Sequence, residues 1–359
     1  MIRVDDHGRD LRAAVEEARK QGGGEVVLGA GVYVVPGGTT FPLVHDLSVR
    51  GEGSATKITV IGDGDVMFGT PTSGAGEMRN LRLDGFDVVS PGPRTGWALR
   101  LQRCVRSVVR DVTVDPVEHG WRQTHGIWVN GFDDVTLDNV TANARVRSLL
   151  VNGMKDQSYG ADLYVTGGCK FTNYRVPADW QDGSVGVHIA GSAGGVYLTE
   201  ADVIYSGIGL LIDTGVSGSQ NREVFLGSGL YVDSCAHDGI YLGPQSCGSF
   251  QAVGAWTASH GVRTGSGCGM RVHHEQIPAF VGKWIGGEVF NSKGDGLAIS
   301  AGAWVVSGSF RHHGGAGIRV PNKAARVLVG DSLFRANAGG HRVAQDGGAL
   351  VSSGVHLDV

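Results

Sequence analysis

Asp179 and Asp182 stand three residues apart in a polar segment, 173–184, that also holds Trp180, and Asp213 follows one repeat later. Acetal hydrolysis needs two carboxyl groups about 5–9.5 Å apart, one to protonate the leaving oxygen and one to attack or activate water. Asp179 or Asp182 with Asp213 meets that need if the repeats stack at about 4.8 Å, and Glu223 is a third acid within reach in sequence. His188 and Tyr241 offer an alternative chemistry, proton abstraction, with Arg271 to neutralise a nearby carboxylate. The same places in the repeat give one row: Trp128, Leu150, His188, Leu211, Tyr241, Arg271, Ala298, Arg319 and Arg342. Two positions further on come Asn130, Asn152, Asp213 and His273. Aromatic rings beside planar amides and a guanidinium suit the ring faces and hydroxyls of a sugar, so Trp128, Asn130, Asn152, Trp180, His188, Tyr241 and Arg271 are candidate binding residues.

These residues are positioned by a repeat that returns every 21 to 38 residues. Its core is Gly or Ser followed by an apolar, outward, apolar triplet: Gly126-Ile127-Trp128-Val129, Ser148-Leu149-Leu150-Val151, Gly186-Val187-His188-Ile189, and so on to Gly317-Ile318-Arg319-Val320. A second strand precedes each core strand (Val135–Leu137, Leu163–Val165, Val196–Leu198) and a third follows (Asn139–Thr141, Asp202–Ile204, Leu230–Val232). Three short strands per repeat predict stacked rungs. Aligning the third strands predicts a structural column of Asn143, Ser206, Ser234, Ser259 and Ser292, and Asp238 and Asp295 read as turn residues in Asp-Gly pairs. Residues 10–21 form an amphipathic helix with Asp10 as N-cap and Leu11, Ala14, Val15 and Ala18 on one stripe; Gly22 to Gly24 end it. An exposed first rung invites aggregation, and this helix is expected to cover it.

The sequence has 60 glycines in 359 residues, 41% hydrophobic residues and a net charge of −4. The charge and the lack of a basic block argue against nucleic acid as partner, and no apolar run reaches membrane-spanning length. The segment 1–7 has no apolar signal-peptide character. Cys104, Cys169, Cys235, Cys247 and Cys268 are scattered and are expected as free thiols. No Cys/His spacing suggests zinc, and neither a metal nor a cofactor is expected. His273-His274 and His312-His313 are expected at the surface or in turns.

The opening resembles a known family. Asp6-His7-Gly8-Arg9-Asp10, the helix, Gly22-Gly23-Gly24-Glu25-Val26-Val27-Leu28 and Gly31-Val32-Tyr33 are similar to the start of pectate-lyase-like right-handed β-helix proteins, with Gly29-Ala30 where a proline is usual. Leu47 to Gly53 and Thr56-Lys57-Ile58 resemble the second rung. The resemblance implies an all-β, single-stranded right-handed parallel β-helix solenoid with an N-terminal capping α-helix: residues 1–40 as cap and 41–359 as one continuous β-helix domain. It also implies a polysaccharide or cell-surface glycan as ligand. The Asp-Asp plus Gly-His-Gly pattern of polygalacturonases is absent, Ser259-His260-Gly261 being a partial echo, and the calcium-binding carboxylates of pectate lyases are not recognisable.

Three functions follow, in order. The first is a phage tailspike-type protein that recognises and cuts a glycan, made in the host cytoplasm, carried on the virion as a homotrimer and in contact with other tail proteins. The second is a stand-alone lyase, hydrolase or epimerase on an acidic polysaccharide. The third is a non-catalytic scaffold or adhesin. A cytoplasmic location is the alternative to the virion.

Overall fold

The computed structural model describes residues 1–69, 76–116, 123–153, 161–174, 183–191, 193–213, 223–244, 248–274, 280–353 and 355–358. Each turn of chain lays down strands that pair in parallel with those one turn before and after. Leu149 faces Val187, Val187 faces Leu210, and Leu210 faces Ile240. Repetition of this register stacks three sheets along one axis. The first runs from Thr40–Phe41 through Arg147–Gly153, Val185–Gly191 and Ile208–Ile212 to Arg342–Ala344. The second includes Ala161–Thr166, Val196–Leu198 and Glu223–Leu226, and the third Thr141–Asn143, Cys169–Thr172 and Ala201–Ile204. Alternate residues point inward, and the inward Ile127, Val129, Leu149, Val151, Val187 and Ile189 are all fully buried.

Corners are made by single residues in the left-handed region. Arg103 (φ 55°) and Asp111 (φ 51°) bend the long strand Arg94–Val114 from sheet to sheet. Asn139 (φ 51°) is another corner residue, so the strand expected at 139–141 begins at Thr141, and the Asn139 amide reaches the Asp111 carboxylate at 2.6 Å.

The corner after the third sheet explains the glycine repeat. Tyr205, Ser234, Ser259, Asn291, His312 and Ala336 take the left-handed conformation there. Each turns the chain so that the next residue faces inward: Ser206, Cys235, His260, Ser292, His313 and Asn337 are buried. The expected column of Asn143, Ser206, Ser234, Ser259 and Ser292 is therefore split. Ser234 and Ser259 form the bend, Ser206 and Ser292 lie inside it, and Asn143 pairs with Thr172 within a strand. The repeat glycines pack against these inward side chains. A Cβ at Gly209 would collide with Val232 and Cys235, at Gly239 with His260, and at Gly296 with His313. Lack of room, not backbone conformation, requires glycine at these three places.

His313 is thus buried in the corner, not at the surface. Its Nδ1 accepts the Ser292 N–H at 3.3 Å and its Nε2 lies 3.1 Å from the Val289 carbonyl, which fixes the neutral tautomer with the proton on Nε2. Cys104, Cys169, Cys235 and Cys268 are free and buried; Cys247 lies outside the described residues.

The helix Leu11–Lys20 forms where expected, with the Asp10 carboxylate accepting the Ala13 N–H at 3.1 Å. Its buried stripe, Leu11, Ala14, Val15 and Ala18, packs on the first strands of the chain. No helix among the described residues is long and apolar enough to cross a membrane.

Burial lowers the pKa of His260 to about 3 and of His313 to about 4. The unfolded chain takes up these protons near pH 6.5, which the folded chain refuses, so stability is full above that value and falls as pH drops toward 4. Chemical unfolding should show a slope of up to about 1.4 kcal/mol per pH unit for each histidine. His313→Asn should flatten the slope; an unchanged slope would contradict the assignment.

Candidate functional site

The outward row of the first sheet is in register over ten rungs: Met67, Arg100, Trp128, Leu150, His188, Leu211, Tyr241, Arg271, Ala298 and Arg319. Arg342 does not join it. Val343 pairs with Arg319, and Arg342 pairs with Ile318. A second row, Gln102, Asn130, Asn152 and Ala190, lies two residues on. The sequence reading missed its first member, Gln102, and Arg100, although Leu99-Arg100-Leu101-Gln102 repeats the apolar–outward alternation.

The N-terminal part is a polar and aromatic cluster. The Arg100 guanidinium lies 4.0 Å from the Trp128 ring centroid and bonds Asp65 at 2.8 Å. Trp97 stacks on His125 at 4.6 Å and meets Trp128 at 5.5 Å. Amides form a ladder: Asn130 donates to Gln102 Oε1 at 2.8 Å and Asn152 donates to Asn130 Oδ1 at 3.2 Å.

The central part holds the titratable groups. His188 Nε2 lies 2.8 Å from Asp213 Oδ1. The His188 side chain is 8% exposed, whereas the Asp213 side chain is 29% exposed. His188 Nδ1 is shielded from solvent and has no hydrogen-bond partner among the described residues. Asp213 is therefore the member of the pair that a ligand can reach, and His188 orients it. Gly243 keeps the space beside it open, because a Cβ there would sit 3.0 Å from Asp213 Cβ and 3.7 Å from Tyr241 Cε1. Burial, then the Asp238 charge, pushes the Tyr241 hydroxyl above its ordinary pKa.

Farther along, the Arg271 guanidinium is held by Asp238, Nε to Oδ2 at 2.8 Å, while Asp238 Oδ1 accepts the Cys268 N–H at 2.7 Å. Arg319, Asp295 and the Ala316 N–H repeat this arrangement at 2.8 and 2.7 Å. Burial opposes the Arg271 charge, but the Asp238 hydrogen bonds outweigh it and raise the pKa. The two Asp-Gly aspartates thus tie one corner to the next rung.

Asp179, Trp180 and Asp182 lie outside the described residues. Glu223 is an exposed residue at the start of a second-sheet strand and does not join the row. Asp202 and Glu288 share a third-sheet column three rungs apart. Among the described residues no group of His, Cys, Asp and Glu is arranged to hold a metal ion. A competing aromatic row, Tyr164, Tyr197 and Phe225 on the second sheet, stacks face to face at 5.0 and 4.8 Å, so most of its ring faces are covered by one another.

No family model matches the chain, and no curated protein matches it. Solved structures do. The A-module of Azotobacter vinelandii mannuronan C-5 epimerase AlgE4 superimposes with a TM-score of 0.63 at 13% identity, over 99% of both chains. Bacteriophage CBA120 tailspike protein 3 gives 0.59 at 10% identity, over 100% of this chain and 62% of that one. A tailspike protein of E. coli bacteriophage HK620 in complex with a pentasaccharide gives 0.54 at 11% identity, over 97% and 76%. This chain has the right-handed parallel β-helix fold. In this β-helix the outward face of the first sheet carries the densest set of paired titratable side chains described above.

Asp238→Ala removes the partner of Arg271 and of the Cys268 N–H together. It should lower stability by about 1–3 kcal/mol in chemical unfolding. No change would show that the ion pair adds nothing to the corner.

Proposed function

We propose that this chain recognises a polysaccharide or cell-surface glycan on the outward face of its first sheet and acts on it through Asp213. The His188–Asp213 contact carries this reading: a buried imidazole holds, at 2.8 Å, a carboxylate that remains open to solvent. That arrangement fixes the orientation of a reactive carboxyl. Asp213 serves as the acid–base group, with Asp179 or Asp182 as the second carboxyl of a hydrolase. Trp128, Trp180, Asn130, Asn152 and Tyr241 contact the sugar rings, His188 also lines the bound chain, and Arg271 meets its acidic substituents. The fold shared with a mannuronan epimerase module and with a tailspike bound to a pentasaccharide supports a glycan as ligand.

The chain works in this reading as a phage tailspike: a homotrimer on the virion, made in the host cytoplasm and docked to other tail proteins. Residues 1–40 are its cap, with the helix closing the first rung, and 41–359 its continuous β-helix. A second reading, a stand-alone polysaccharide lyase, hydrolase or epimerase, draws support from the end-to-end superposition on the epimerase module.

The test is incubation with bacterial surface and acidic plant polysaccharides, followed by size-exclusion chromatography. One glycan should be shortened by the wild type, and Asp213→Asn should slow this by about 100-fold or more with folding intact. Undiminished shortening by the variant would overturn the role of Asp213, and no interaction with any glycan would overturn the function.

A further inference from the structure

We infer that the N-terminal part of this face holds an anion-binding subsite centred on Arg147, which takes the carboxylate or sulfate group of an acidic glycan. The inference rests on the glycan-binding reading of the face. Arg147 lies beside His125 in register, on the rung after it. The other arginines of the face are engaged: Arg94 by the Gly62 carbonyl and Gln123, Arg100 by Asp65, Arg271 by Asp238 and Arg319 by Asp295. Arg147 makes no ion pair or hydrogen bond among the described residues, and its Nε is shielded from solvent without a partner.

Two neighbours share this condition. His125 Nδ1 and Trp128 Nε1 are also shielded and unpartnered. Trp97 joins them into one cluster, stacking on His125 at 4.6 Å and meeting Trp128 at 5.5 Å. A shielded polar group without a partner costs free energy, and the cost is greater for a charged one. The three side chains are only part-buried, and an oxyanion that reaches them gives an acceptor to the guanidinium, to the indole N–H and to the imidazole in its Nδ1–H tautomer.

The local charge has the right sign. Asp65 is the carboxylate whose charge acts on His125, and it is already engaged by the Arg100 guanidinium at 2.8 Å and the Trp97 N–H at 2.9 Å. Burial, followed by the Arg147 charge, lowers the His125 pKa to about 4, so the imidazole is neutral at pH 7 and adds no second positive charge. The Arg147 charge is left for a ligand. Its fork suits a carboxylate or a sulfate ester, each of which presents two oxygens in one plane.

Calorimetric titration tests this with four probes: hexagalacturonate, its full methyl ester, a sulfated galactan oligosaccharide and maltohexaose. The wild type should bind at least one charged probe about tenfold or more tightly than the uncharged ones. The carboxylated and sulfated arms separate the two anion sources. Arg147→Met should erase the preference at an unchanged melting temperature, and Arg147→Lys should restore part of it. Equal binding of charged and uncharged probes, lost in Trp128→Ala but not in Arg147→Met, would keep the glycan face and overturn the subsite. Binding of no probe would overturn both.

Discussion

The fold depends on the crowded corner between the third sheet and the first. There the inward residue after each left-handed bend presses against the glycine that opens the first-sheet strand of the rung before. A Cβ at Gly239 would collide with His260, and one at Gly296 with His313. The pitch of the rungs, about 4.8 Å, leaves no slack at this corner. The strand that follows is therefore held in a single register, because a slip of one residue would turn its apolar side chains outward.

That register makes the candidate site. Val187 and Ile189 point into the core, so His188 must point out, and Asp213 arrives beside it at the end of the next strand. The site is a consequence of stacking: no local motif joins His188 to Asp213, which are 25 residues apart. The same stacking places Trp128 next to Arg100 and His125 next to Arg147. A rigid face of this kind holds ligand groups at fixed intervals along one axis, which suits an extended polymer better than a compact metabolite.

Much of this was legible in the sequence. The glycine-led triplets revealed the first sheet, and strict alternation placed Trp128, His188, Tyr241 and Arg271 in one row. The pairing of His188 with Asp213 was not legible, because it depends on where the strand Ile208–Ile212 ends. Nor was the engagement of Arg271 by Asp238, which spans 33 residues and looks like ordinary Asp-Gly turn chemistry in sequence. The serine column was misplaced because the third strands were aligned one residue out of register: Tyr231 and Trp256, not Leu230 and Ala255, stand in the column of Asp202 and Glu288. His313 was misjudged because adjacent histidines suggest a surface turn until the bend at His312 is known.

Amide hydrogen exchange, with and without the polysaccharide that elutes with the protein, tests the central claim most directly. Protection should appear at the ends of the first-sheet strands that carry Trp128, Asn152, His188 and Asp213. Protection centred on the second-sheet strands that carry Tyr164, Tyr197 and Phe225 would place the ligand on another face and contradict the account.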